Sequence, residues 1–461
     1  MSIINNMPNP KSGMTIDGII EDYYVYAGKN ISAGDFVEFV NGVAGSVDYG
    51  TSLDTKISTL VDDDGVSAVE LSNGNVFVVY PNSDGYLCGI VLTINGATIN
   101  VGVETQLSTD TKSGYGASPL LLENGEVFVA HSYGSNYYLY GMIVSIQGTA
   151  IAVKVDSEIH VSTYGGRSTS PILLENGNIF IAYSYLTSYN LRACIVSING
   201  TTITRGHTLI LDDNDQAGED ISTIVLENNK IFIVNSRSNR LYGMICVVDG
   251  ITINNETNTS ISSSVYSGTH LSAVKLSNNN IFIAHSKSDS YHLYGIACSI
   301  TDTTITTGID TALSLDRAGA RISAVLLKNG KVFVAHSLMF GSAAGGDLYG
   351  LIVSVNNTTV TAGTDTGLCT TEELDATAIK ALTLSNEGVF LAHTYTSDSY
   401  VYGQIWGVDE TNNIPTNKVI LTTYETQVQK TTTSKFDGVA KTAGTGGTST
   451  AHRDKISIYT K

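Results

Sequence analysis

A histidine recurs four times at one position of a repeated sequence pattern, where it could do chemistry. It is His131, His285, His336 and His393 in four copies of the pattern, whereas three other copies have Tyr80, Tyr183 and Asn235 there. Imidazoles bind metal ions and titrate near neutral pH. Equivalent positions of neighbouring repeat units are usually too far apart to share one ion, whose ligands must close to ~2 Å. We therefore expect each ring to hydrogen-bond within its own unit, and we predict no metal site and no cofactor.

Tyrosine-rich segments follow several of these positions and could bind a ligand. They read YGSNYY (133–138), YLTSYN (185–190), KSDSYH (287–292) and YTSDSY (395–400). Tyrosine offers a rigid amphipathic surface at low entropic cost, which suits adaptable loops and stacking on carbohydrate. Solvated loops are also simply rich in such residues, so a role without a ligand stays open. The candidate binding residues are Tyr133, Tyr137, Tyr138, Tyr185, Tyr189, Tyr291, Tyr395 and Tyr400.

The composition excludes several classes of protein. The 461 residues carry 25 basic and 43 acidic side chains, a net charge of −18, and no basic stripe, so we expect no nucleic-acid partner. Hydrophobic residues make up 42% and charged residues 15%, which excludes a disordered chain. No leader or long apolar run is present, so we expect no membrane segment. Five isolated cysteines indicate reduced core residues in a chain made in the cytoplasm.

Seven copies of one pattern organise the chain. Each copy has an apolar run, a turn asparagine and a second apolar run, as in LSAVKLSNNNIFIAH (271–285). The turn asparagines are spaced by 51, 52, 52, 50, 51 and 57 residues: Asn73, Asn124, Asn176, Asn228, Asn278, Asn329 and Asn386. This period is typical of a unit the size of a small sheet rather than of one turn of a helical solenoid.

Each unit is predicted to contain four strands. Asn-Gly at the first turn of four units suits a two-residue hairpin. The second strand, such as 281–284 (IFIA), is apolar at consecutive positions, so both of its faces must be buried. Sheets packed face to face around an axis satisfy that demand. We predict an all-β protein in which residues 49–431 form a seven-bladed β-propeller.

Signatures of catalysis and of calcium binding are absent from the sequence. No G-x-S-x-G, H-E-x-x-H or P-loop occurs, and Trp406 is the single tryptophan, whereas sialidase-like, kelch and WD repeats carry one in each unit. The acidic runs 62–65 (DDDG) and 212–215 (DDND) lack the spacing of a calcium loop, so they are interpreted as solvated charge. We predict no catalytic residue and no enzyme, although a cleft built from unlike blades would carry no such signature.

The two ends of the chain lie outside the repeat. Residues 1–48 and 432–461 each hold two or three predicted strands, and an isolated hairpin is only marginally stable. We therefore predict that the ends pair into one small β-barrel or sandwich, into which the propeller is inserted. The last blade could be closed by 51–58 (TSLDTKIS), which is similar to 310–314 (DTALS), or by 417–428.

The ends also carry a resemblance. The segments AGKNISAGDFVEF (27–39), FDGVAKTAGTGG (436–447) and KISIY (455–459) resemble the small β-modules of tailed-phage head-decoration and fibre proteins. The repeats, with their AHS and LYG elements, are similar to those of phage and prophage structural proteins of Gram-positive hosts. The resemblance implies a virion component made in the host cytoplasm, present in multiple copies, whose partners are other capsid or tail proteins.

The resulting expectation is a non-enzymatic virion surface protein. Its terminal module would dock on the particle as a capsid decoration or a tail fibre or baseplate component. Its propeller would display loops toward host-surface carbohydrate, with weak contacts adding up by multivalency. The alternatives are a purely structural decoration or bridging protein without a ligand and a glycan-cleaving propeller enzyme.

Overall fold

The computed structural model describes most of the chain between residues 20 and 460. The described residues are 20–25, 30–31, 36–61, 65–110, 116–133, 138–160, 165–185, 190–214, 220–238, 240–255, 258–262, 267–287, 292–318, 320–337, 348–368, 376–385, 388–395, 399–409, 414–416, 418–430, 438–440, 444–445 and 455–460. By its internal contacts the chain divides into two units, Met1–Gly50 with Ile420–Lys461, and Thr51–Val419.

The first unit is a small barrel built from both ends of the chain. Its closed sheet has the order β1, β37, β3, β38, β40, and β2 pairs separately with β39. The bounds are β1 (Ile20–Val25), β2 (Asn30–Ile31), β3 (Phe36–Thr51), β37 (Lys418–Lys430), β38 (Gly438–Ala440), β39 (Gly444–Thr445) and β40 (Lys455–Thr460). N-terminal β1 pairs antiparallel with C-terminal β40, so the two ends share one hydrogen-bonded sheet.

The second unit is the predicted seven-bladed propeller. Each blade is an antiparallel sheet whose strands follow chain order from the axis outward. Blades 1 to 3 contain β5 (Ser67–Glu70), β6 (Val76–Pro81), β7 (Leu87–Asn95), β8 (Thr98–Val101) and β9 (Thr105–Gln106); β10 (Ser118–Leu121), β11 (Val127–Tyr133), β12 (Tyr138–Gln147) and β13 (Ala150–His160); β14 (Gly165–Leu173), β15 (Ile179–Tyr185), β16 (Asn190–Asn199) and β17 (Thr202–Asp212).

Blades 4 to 6 have the same plan, and as in blade 1 their outer edge is split into two strands. They contain β18 (Ile221–Val225), β19 (Lys230–Arg237), β20 (Arg240–Asp249), β21 (Thr252–Asn255) and β22 (Thr259–Ser260); β23 (Ser267–Lys275), β24 (Asn280–Lys287), β25 (His292–Thr301), β26 (Thr304–Thr307) and β27 (Thr311–Ala318); β28 (Ala320–Leu326), β29 (Val332–Ser337), β30 (Leu348–Asn356), β31 (Thr359–Ala362) and β32 (Thr366–Gly367). A 3-10 turn, Ser277–Asn279, joins β23 to β24.

Blade 7 is closed by a strand from the other end of the chain. It contains β33 (Ala376–Thr383), β34 (Val389–Tyr395), β35 (Tyr400–Asp409) and β36 (Ile414–Thr416). The N-terminal strand β4 (Thr55–Leu60) pairs with β35 in the place that β9, β22, β27 and β32 take in other blades. Of the two closures left open by the sequence, the one through 51–58 is therefore correct, and 418–430 belongs to the barrel.

The core lies between neighbouring blades. The second strand of each blade is buried along its length, as in β6, where six consecutive residues are buried. Its two faces contribute to different clusters: in blade 4, Ile231 and Ile233 pack toward blade 3, while Phe232 and Val234 pack toward blade 5. Burying a side chain of this size contributes roughly 1.5–3 kcal/mol. The consecutive apolar residues thus fill two interfaces.

Glycine in the Leu-Tyr-Gly element is required by an aromatic ring on the strand beside it. A Cβ on Gly141 would lie 2.7 Å from the Phe128 ring, and one on Gly295 would lie 2.7 Å from the Phe282 ring. Such distances force a neighbour to move. The repeated element therefore serves the packing of each blade.

Candidate functional site

The repeated histidines are structural, as predicted. His131 contacts Asp156 of its own blade through Nε2 at 3.0 Å, and its Nδ1 lies 2.7 Å from the Ser132 carbonyl oxygen. The other pairs are His285 with Asp310 at 2.9 Å, His336 with Asp365 at 3.1 Å and His393 with Asp54 at 3.3 Å. All four histidines are fully buried. In blade 7 the carboxylate comes from the N-terminal segment, so this pair also takes part in ring closure.

The predicted tyrosines fall into three groups. Tyr133 stacks on Tyr140 with ring centroids 4.3 Å apart, and Tyr138 and Tyr400 are half-buried at the starts of β12 and β35. Tyr395 is a core residue rather than a rim residue, because it is 1% exposed and its hydroxyl donates to Asp54 at 2.7 Å. Tyr185 ends β15, its side chain outside the described part, and Tyr137, Tyr189 and Tyr291 lie outside the described residues.

The interpretation of residues 212–215 as solvated charge is wrong for the first of them, Asp212. Asp212 is 5% exposed and accepts a hydrogen bond from Arg237 at 2.9 Å and another from Asn258 at 2.5 Å. Asp212 ends β17 of blade 3, and both donors belong to blade 4, so the carboxylate joins these two blades. Asp62, Asp63, Asp64 and Asp215 lie outside the described residues.

Three charged or titratable residues meet at one mouth of the axial channel, although the sequence separates them by about fifty residues each. Each lies directly before the repeated apolar segment of its innermost strand. In blades 1 to 7 this position holds Gly65, Gly116, Ser168, Asp220, His270, Arg321 and Ala378. Of these, Asp220, His270 and Arg321 line one cavity of about 170 Å³ together with Gly65 and Ala378. Three successive blades thus supply a carboxylate, an imidazole and a guanidinium to one wall.

Two of these residues have a strained backbone. His270 has φ 54° and Arg321 has φ 48°, both in the left-handed region that suits glycine. The equivalent Gly116 has φ 61°, so three of the seven blades adopt the left-handed conformation at this position. A non-glycine residue there costs roughly 1–2 kcal/mol. Strain of this kind is concentrated at functional sites, where surrounding structure holds a side chain that glycine could not provide.

Asp220 and His270 form a carboxylate–imidazole pair. The backbone N–H of His270 donates to Asp220 Oδ2 at 2.8 Å, and His270 Nδ1 lies 3.7 Å from the same oxygen. Burial, together with the positive charge of Arg321, lowers the pKa of His270 despite the opposing effect of Asp220. The lowered pKa favours the neutral imidazole, whose lone pair can accept a proton. Arg321 is exposed at the mouth.

The channel continues past the mouth along the innermost strands. A cavity of about 290 Å³ shares Gly65 and Asp220 with the mouth and reaches the residues two positions further along each strand. Those residues are six serines and one lysine: Ser67, Ser118, Ser170, Ser222, Ser272, Ser323 and Lys380. Two residues along a strand advance about 6.6 Å, which sets the depth of this ring below the mouth.

Other candidate groups in the described part of the chain are inert or absent. Cys88, Cys194, Cys246 and Cys298 are buried free thiols, and burial raises each pKa to about 12. No three histidine, cysteine or carboxylate side chains among the described residues are grouped so that they could hold a metal ion. The described residues include no helix long and apolar enough to cross a membrane.

Comparison with known proteins yields similarity in fold alone. No protein family and no curated protein sequence matches the chain. Among solved structures, a fungal alcohol oxidase in complex with copper is similar at TM-score 0.54 and 11% identity, covering 89% of this chain and 93% of its own. An intramolecular trans-sialidase from Ruminococcus gnavus matches at 0.43 and 12%, covering 79% and 99%. A sialidase from Streptococcus pneumoniae matches at 0.40 and 11%, covering 80% and 70%.

These matches correct the expectation of a non-enzymatic virion surface protein. The alcohol oxidase, which shares the fold at TM-score 0.54, is an enzyme. The reasoning behind the prediction of no enzyme is therefore wrong: it relied on missing motifs, and the same fold holds an enzyme that shares only 11% identity with the chain. The predicted phage origin, partners and location stay predictions.

The residues at the mouth could not be identified from the repeat pattern, because each lies one position before the aligned segment. Asp220 ends the acidic connection DDNDQAGED (212–220), and neither His270 nor Arg321 belongs to a motif. A signal is nevertheless present. Extending the alignment by one residue shows aspartate, histidine and arginine in successive units at a position otherwise held by small residues.

Proposed function

We propose that this protein is a hydrolase whose active site is the mouth of the axial channel, with His270 as general base. The observation that carries the proposal is the strained backbone of His270 and Arg321 in the cavity that they share with Asp220. His270 and Arg321 hold equivalent positions on neighbouring blades, and both have a strained backbone inside one concave cavity. Backbone strain and an imidazole in such a cavity are expected of an enzyme that uses acid–base catalysis.

The roles of the three side chains follow from their placement. The neutral imidazole of His270 takes a proton from a water molecule, and the resulting hydroxide attacks the carbonyl carbon of an ester. Asp220 stabilises the imidazolium that forms, since its Oδ2 lies 3.7 Å from Nδ1. The guanidinium of Arg321 stabilises the negative charge that develops on the carbonyl oxygen. When the intermediate collapses, the imidazolium returns its proton to the leaving alcohol.

The size of the cavity limits the substrate. About 170 Å³ at the mouth accommodates a small acyl or similar group rather than a polymer backbone. Ile322 and Ile379 line the same cavity beside the polar residues. We therefore expect small esters with a compact acyl group to be the preferred class.

The experiment is hydrolysis of p-nitrophenyl acetate, butyrate, phosphate and sulfate by the full chain. We expect turnover of the acetate above the buffer rate, and a fall in kcat/KM of about 100-fold or more in His270→Gln, because general-base catalysis contributes 10²–10⁴-fold. Arg321→Gln should lower kcat by about 10–100-fold. Asp220→Asn should lower it less, since this carboxylate acts through the imidazole.

A matched control separates these effects from general damage. Arg240→Gln changes an exposed arginine at the start of β20 and should leave kcat/KM unchanged. Absence of turnover on all four esters by the wild type would refute the proposal. So would a His270→Gln variant that keeps the wild-type rate.

A further inference from the structure

The ring of serines in the channel joins neighbouring blades through one repeated hydrogen bond. Ser222 Oγ accepts from the backbone N–H of Ala273 at 3.3 Å, and Ser272 Oγ accepts from Ala324 at 3.0 Å. Ser323 Oγ accepts from Ala381 at 2.9 Å, and Ser170 Oγ from Thr223 at 3.2 Å. In each case the donor is the residue after the ring position on the next blade. Four of the seven blade junctions are joined in this way.

The remaining three junctions cannot form the bond, for reasons visible in the sequence. The residue that should donate to Ser67 is Pro119, and the one that should donate to Ser118 is Pro171, and proline has no N–H. At the third junction Lys380 replaces serine opposite the N–H of Ala68, and an ammonium cannot accept a hydrogen bond. These junctions are contiguous, because they lie between blades 7, 1, 2 and 3.

On one side of the channel, hydrogen-bond donors are therefore left without an acceptor. Among the described residues, neither hydroxyl of Ser67 and Ser118 has a hydrogen-bond partner, and Lys380 has no carboxylate partner. Lys380 is half-buried in the wall of the cavity, and burial lowers the pKa of its ammonium. Burying an ammonium without a counterion is costly. A bound anion would offset that cost.

We propose that this side of the channel is a binding site for a small oxyanion, with Lys380 as the counter-charge and Ser67 and Ser118 as hydrogen-bond donors. The cavity of about 290 Å³ has room for a short carboxylate, a phosphate or a sulfate. The inference does not depend on catalysis at the mouth, since none of these three residues takes part in the proposed reaction. The net charge of −18 makes such a site an exception within an otherwise anion-repelling molecule.

The site is tested by titrating the full chain with sodium acetate, phosphate, sulfate and chloride at constant ionic strength, using calorimetry. We expect saturable binding of acetate or of the tetrahedral oxyanions, and the ranking identifies whether a carboxylate or a phosphate-like group fits. Lys380→Met should weaken that binding at least tenfold. Ser67→Ala and Ser118→Ala should each weaken it by about two- to fivefold.

Two further variants keep the test decisive. Lys275→Met removes a lysine from another innermost strand, where its Nζ donates to the Val225 carbonyl oxygen at 3.0 Å, and it should leave anion affinity unchanged. Lys380→Ser restores the serine of the other blades and should fold with a Tm at least equal to that of the wild type while losing the anion. Wild-type protein that binds none of the anions below about 10 mM, or Lys380 variants that bind them like the wild type, would overturn the proposal.

Discussion

Two sets of equivalent positions in the propeller, the histidine–carboxylate pairs inside the blades and the residues at the channel mouth, follow opposite rules. Inside the blades the same residue recurs, is fully buried and finds its partner in its own sheet. At the mouth the seven positions diverge, and two of them keep long polar side chains on a backbone that suits glycine. A residue type that recurs at one position therefore indicates a role in packing within the blades. The candidate site is found where the residue types differ between blades and the backbone is strained.

The largest expected effect concerns the recurring pairs. His131→Ala should lower the free energy of unfolding by about 3 kcal/mol, because it leaves a cavity and removes the Nε2 contact from Asp156. His131→Asn should cost less, since Asn235 occupies the equivalent position of blade 4. Urea denaturation measures both changes. His207→Ala, at an exposed site, is the control and should change stability by less than about 0.5 kcal/mol. A loss below about 1 kcal/mol in His131→Ala would refute the structural role.

A second effect comes from a histidine outside the recurring pairs. Burial, with Arg205 and Arg192 nearby, lowers the pKa of His160 to about 4, whereas the unfolded chain titrates near 6.5. Between these values the unfolded state binds more protons, so stability falls as pH drops from about 6.5 to 4. We expect this residue to account for on the order of 2 kcal/mol of that loss. Urea unfolding at pH 7 and pH 4.5 should show a smaller acid-induced loss in His160→Gln than in the wild type; equal losses would contradict the assignment.

A smaller effect tests the strain at the mouth. Because Arg321 has φ 48°, Arg321→Gly should be more stable than Arg321→Ala by about 1 kcal/mol. Arg240 has ordinary strand geometry, so Arg240→Gly should instead be less stable than Arg240→Ala. Thermal unfolding of the four variants gives the comparison. If the glycine and alanine variants have the same order of stability at positions 321 and 240, the backbone of Arg321 is not strained.

The fold can be predicted because its sequence pattern is local and repeated. The candidate site cannot be predicted in this way, because no such pattern marks its residues. Consecutive apolar residues such as 281–284 (IFIA) and evenly spaced turn asparagines predict seven blades. Closure through β4 could not be decided, since it depends on a pairing between residues more than 300 positions apart. The mouth depends on the ring itself: Asp220, His270 and Arg321 become neighbours only after the blades close, and their backbone strain has no sequence signature beyond glycine at the equivalent Gly116.

The most direct test of the central claim is the combined stability and activity of His270→Gly. Glycine relieves the backbone at φ 54° while removing the imidazole. We predict that this variant unfolds with a free energy equal to or up to about 1 kcal/mol above that of the wild type, and that kcat/KM on p-nitrophenyl acetate falls about 100-fold or more. A variant that is clearly less stable than the wild type, or one that keeps the wild-type rate, would contradict an active site at the mouth of the channel.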